Sequence, residues 1–217
     1  MRIGPAVGFL VITTVIALHS GVAEAACKDP DPEVLINHQV MGFKWWGMTP
    51  LRSSGAPLRW VSVSGTAMRQ GEVFVVDCRG AKLAELGLGA VGVQKLGPMV
   101  MGRPSLIVTY DSDSGTNINV QDVALLQYRD GVITKLWDHD SFNGQYPPEG
   151  LGRQEETIYR WRFTHDSQRI EVTGRHVVYR EQNSNGPLHK SHISYVRRLR
   201  QENFCLDRRR MKYKRCI

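Results

Sequence analysis

The chain has no apolar run long enough to cross a bilayer as a helix. Its longest, from Val7 to Leu18, stops short of the about 20 residues that a spanning helix needs. Arg2 precedes that run and Ala23-Glu24-Ala25 follows it, which is the layout of a secretory signal peptide with a small-x-small cleavage site. Residues 1–25 are therefore expected to be removed near Ala25, leaving 26–217 as a single exported domain, periplasmic or secreted. Before Cys27 there is only Glu24-Ala25-Ala26, without the large aliphatic residue that lipid attachment requires.

Closely spaced cysteines are also missing. No pair shows the C-x₂₋₄-C spacing of structural zinc sites, so the four that exist, Cys27, Cys78, Cys205 and Cys216, read as two disulfides in an oxidising compartment. Three pairings are open. Each of them uses at least one cysteine near an end of the chain, where a bridge restrains a segment that would otherwise fray.

No helix of convincing length appears, and no internal repeat occurs that would make a propeller. What recurs is period two. In EETIYRWRFT, Tyr159, Trp161 and Phe163 alternate with Arg160 and Arg162, and in DVALLQYRDGVITKLWD two β-rich runs meet at Asp130-Gly131, a dipeptide suited to the positive φ angles of a tight hairpin. Further strands are expected at Leu58 to Ser64, Glu72 to Cys78, Ser105 to Tyr110, Gln168 to Thr173, Arg175 to Arg180 and His192 to Leu199. Ala81 to Met101, broken by glycines and Gly97-Pro98, reads as irregular or as one short helix. The fold expected is mainly β, an antiparallel sandwich or barrel-like sheet.

Catalytic signatures are absent: there is no G-x-S-x-G, no H-E-x-x-H and no reactive-cysteine motif. Gly87-Leu88-Gly89-Ala90-Val91-Gly92 spells a dinucleotide fingerprint, but no strand-turn-helix unit surrounds it, so the glycines are assigned to tight backbone turns and no cofactor is expected. DSDSGTNINVQD sets Asp111, Asp113, Asn117, Asn119 and Asp122 in a calcium-loop frame, with glycine one position early and no Glu at the end; a polar hairpin loop is the better account. Asp138-His139-Asp140, with His165 and His176 farther on, offers the parts of a hydrolase. On a strand, however, Asp138 and Asp140 share a side and His139 faces away.

Charge of either sign is balanced over most of the chain. From Arg197 onward, nine basic residues stand against Glu202 and Asp207 alone, which accounts for the entire formal net charge of +7. Such a local field attracts polyanions, namely anionic lipid, lipopolysaccharide or acidic glycan, and the export signal argues against nucleic acid. The leading expectation is a non-catalytic domain that binds an acidic envelope component through 197–217, with Arg208, Arg209, Arg210, Lys212, Lys214 and Arg215 as the contact residues. Two alternatives are a glycan-binding module that stacks sugars on Trp45 or Trp46 and an exported hydrolase built on the Asp/His set.

Overall fold

The computed structural model describes residues 43–51, 58–65, 71–114, 118–145, 153–164, 166–180 and 193–216. Cys27, Asn117, His165 and the signal segment lie outside these residues, as do the side chains of Trp45 and Trp46. The described residues form antiparallel strands and no helix. β1 (Phe43–Leu51), β2 (Leu58–Gly65), β3 (Gly71–Val76) and β4 (Lys82–Leu88) make a four-stranded meander. The remaining strands belong to a second sheet: β5 (Ala90–Leu96), β6 (Leu106–Ser114), β7 (Ile118–Arg129), β8 (Val132–Gln145), β9 (Arg153–Phe163) and β10 (Arg169–Arg180) in sequence order, with β12 (Glu202–Asp207) and β13 (Lys212–Arg215) continuing its far edge and β11 (Ile193–Arg198) also paired to β10.

The hairpin expected at Asp130-Gly131 forms. Arg129 pairs with Val132, and both central residues take positive φ, 51° at Asp130 and 85° at Gly131, as a two-residue turn of this hand demands. Two expectations are corrected. Ala81 to Met101 is neither irregular nor helical: β4 and β5 occupy it, and the chain steps from one sheet to the other at Gly89. A Cβ on Gly89 would sit 1.6 Å from the Asp111 carbonyl oxygen, so Gly89 lets backbone approach backbone at this corner. Likewise Gly174 does not separate two strands. β10 runs through it because its missing side chain makes room for Leu199 and Tyr159, each 2.9 Å from where a Cβ would stand.

The two sheets share a core. Trp60, Val73 and Val75 of the meander bury against Leu106, Val108, Ala124 and Leu126 of the larger sheet, a sandwich over its β5–β8 half. Alternate residues Ile107, Val123 and Leu125 point to the opposite face and meet Leu136, Trp137, Ile170, Val172 and Tyr213 in a second core. The larger sheet supplies both sides of that core by curling on itself. The rings of Trp137 on β8 and Phe204 on β12 are 5.8 Å apart although β9 and β10 lie between them. In a flat sheet three strand spacings would hold them about 14 Å apart.

Candidate anion-binding surface

CLDRRRMKYKRC is a closed β-hairpin. Cys205 and Cys216 are disulfide-bonded, with Cα atoms 5.2 Å apart, and Cys205 pairs with Lys214 across β12–β13. Cys78 is disulfide-bonded as well. Leu206 and Phe204 pack inward, and the buried Tyr213 donates its hydroxyl proton to the Ser167 carbonyl at 2.5 Å. Burial pushes the Tyr213 phenol up to about 12. The hairpin is thus moored in the second core by its apolar residues, which leaves its charges outside.

Asp207 shapes the tip. One of its carboxylate oxygens accepts hydrogen bonds from the backbone N–H groups of Arg209 and Arg210, and the other lies 2.9 Å from Lys214 Nζ. The Lys214 hydrogen bond, aided by those backbone donors, holds its carboxyl below the usual range. Glu202 takes Arg215 at 2.6 Å. The two acids of the tail therefore neutralise Lys214 and Arg215, with Arg210 at the 4.0 Å limit of Asp207. Arg208, Arg209 and Lys212 are exposed and have no ion-pair partner among the described residues.

A series of clefts continues this surface over the outer face of β9, β10 and β11. One, of about 450 Å³, lies beside the disulfide and is lined by Arg169, Arg200 and the paired Arg215 and Glu202. A second, of about 570 Å³, is lined by Arg160, Arg175 and Arg198. Gln201 borders both, so they adjoin. Arg175 and Arg198 stand directly opposite each other across β10–β11, and Arg160 lies one strand farther on. Like charges directly opposite across a sheet are destabilising. Arg162 is matched by Glu171 at 2.5 Å, but Arg160, Arg169, Arg175, Arg198 and Arg200 have no acidic partner among the described residues.

The six contact residues expected from the sequence, Arg208 to Arg215, are thus brought onto one hairpin, with Arg198 on β11 beside it, and the structure adds Arg160, Arg169 and Arg175 to them. Arg160 was legible as the outward half of the YRWRF alternation. Arg169 and Arg175 join only through the β10–β12 and β10–β11 pairings, which no local pattern announces.

The Asp/His set is not brought together. His139 faces the second core, stacked with Trp137 and edge-on to Tyr159 and Phe204, with Nδ1 2.7 Å from the Asp140 carbonyl and Nε2 3.7 Å from Glu202. Desolvation, with Asp140 and Glu202 nearby, raises the Tyr159 phenol. Asp138 is on the other face, 3.1 Å from Lys135, which also reaches the Tyr110 hydroxyl. His176 bonds Thr157 and approaches Glu155 at 3.4 Å. The carboxylates of the calcium-loop frame are spread along the β6–β7 ladder, where Asp113 pairs with Val120 and Tyr110 with Asp122. Among the described residues no three His, Cys, Asp or Glu side chains converge as a metal set. No protein-family model, curated protein or solved structure matches this chain.

Proposed function

We propose that this is an exported, non-catalytic β domain that binds an acidic component of the cell envelope through its basic C-terminal segment, 197–217. The observation that carries the reading is the hairpin: its disulfide and core-anchored Tyr213 hold a tip whose Arg208, Arg209 and Lys212 have no acidic partner among the described residues. A frayed tail would lose conformational entropy on binding; a preformed hairpin loses less. The unmatched arginines of the adjoining clefts extend the same field over β9–β11, and the Arg175–Arg198 juxtaposition is a cost to the fold that a bound anion would relieve.

Binding to phosphatidylglycerol vesicles, lipopolysaccharide and heparin at low salt tests this reading. R208Q/R209Q/R210Q/K212Q leaves the Lys214–Asp207 and Arg215–Glu202 pairs in place, so the hairpin should persist. Near an anionic surface each basic residue contributes about 1 kcal/mol, so the variant should bind roughly a thousandfold more weakly to its acidic partner. Equal binding by wild type and variant to all three would overturn the proposal.

A further inference from the structure

Four turns gather at one end of the larger sheet. Gln127 donates to the carbonyls of Val100 and Arg103 in the β5–β6 loop, and two residues along the same strand Arg129 contacts Met211 in the β12–β13 turn. The β7–β8 turn follows directly at Asp130-Gly131, and the Tyr213–Ser167 hydrogen bond ties in the β9–β10 turn. Among the described residues, the non-glycine positions with positive φ are Met101, Asp130, Ser167 and Met211, one in each of these turns. The Val100–Arg103 turn is closed by hydrogen bonds of 2.8 and 3.0 Å in both directions. Its corner is Met101 at φ 51°, where glycine, asparagine or aspartate would sit with less strain.

These rigid turns present a particular mixture. Met99 is 56% exposed, Met101 44% and Val132 59%. Around them stand the exposed arginines Arg103 and the tip residues Arg208 to Arg210, together with Arg129, which pairs with the exposed Asp130 at 3.0 Å, so basic charge exceeds acidic at this end. A soluble polyanion would use the arginines and leave the apolar side chains in water. A bilayer bearing anionic headgroups uses both, since apolar tips sink past the headgroup level while basic residues meet the charge.

We propose that this end of the β body docks on an anionic lipid surface, with Met99, Met101 and Val132 inserting and the surrounding arginines contacting headgroups. The inference rests on the proposed function and names the lipid bilayer as its partner. The test is M99S/M101N/V132T, which changes only exposed positions and puts asparagine where positive φ suits it, with V132T alone as a second variant. Phosphatidylcholine vesicles with and without phosphatidylglycerol, and a heparin column, are the probes. Wild type should bind only the anionic vesicles. The triple variant should bind them at least about tenfold more weakly, the transfer gain of one or more buried apolar side chains, with V132T showing part of that loss and both variants eluting from heparin at the wild-type salt concentration. Unchanged vesicle binding by both variants overturns the insertion while leaving polyanion binding intact. Wild type that binds heparin but not vesicles overturns the lipid partner in favour of a soluble polyanion, and wild type that binds neither overturns the reading beneath it.

Discussion

Replacing Cys205 and Cys216 with serine asks how firmly the basic hairpin is held. The bridge closes a loop of sequence separation 11. The chain-entropy relation assigns a loop of that length about 2.8 kcal/mol at 25 °C. Because Phe204, Leu206 and Tyr213 belong to the second core, the hairpin cannot open without exposing apolar surface there, and its loss should register in the whole fold. For a domain of this size about 2.8 kcal/mol corresponds to a fall of roughly 6–11 °C in Tm. Amides of β12 should exchange up to about a hundredfold faster, and heparin should release the variant at lower salt. Calorimetry, hydrogen exchange and the heparin column read these three effects. A variant with the wild-type Tm and unchanged exchange over Glu202–Asp207 would refute the argument that the disulfide fixes the hairpin.

Three further outcomes follow from single side chains. Gly89→Ala should be among the most damaging substitutions in the fold, costing about 4 kcal/mol or more by denaturant titration, since backbone must move to clear a contact of 1.6 Å. Desolvation raises the Asp122 carboxyl, assisted by Asp140 and Asp138. A raised folded pKa means stability fully present below the unfolded pKa and lost as pH rises through the folded one, so Asp122→Asn should raise Tm at neutral pH and change little at pH 3. Asp207 is the opposite case: its lowered pKa supplies stability above the unfolded value that disappears as pH falls through the folded one, and Asp207→Asn should speed exchange of the Arg209 and Arg210 amides at pH 7 but not well below pH 4.

Period-two alternation carried most of the fold because half-buried antiparallel strands write their facing directly into the sequence. Tyr159, Trp161 and Phe163 point into the second core and Arg160 and Arg162 out of it, as YRWRF implies. The Asp130-Gly131 hairpin was equally legible, because its chemistry is local. Where the sequence misled, glycine was the cause. Gly89 and Gly174 look like interruptions but mark places where strands pass close to a carbonyl or to packed side chains. β12 and β13 were hidden by their charge: only Phe204, Leu206 and Tyr213 face inward, too few to show an apolar rhythm among the six basic residues from Arg208 to Arg215. The basic surface itself was half visible. Arg208 to Arg215 stand together in the chain, whereas Arg169 and Arg175 reach them only through non-local strand pairing. His139 next to two aspartates suggested a catalytic group, yet the alternation that predicts its separation from Asp138 also predicts the aromatic surroundings it has.

Lysine footprinting tests most directly where an acidic partner sits. The protein, with and without saturating heparin, is acylated briefly and the modified lysines are quantified by peptide mapping. The account predicts strong protection of Lys212 and Lys214 on the hairpin, with Lys82 of β4 and Lys95 of β5 reacting as fast as in the free protein. Equal protection of all four, or protection of Lys82 and Lys95 with Lys212 fully reactive, would contradict the claim that the C-terminal basic surface is the binding site.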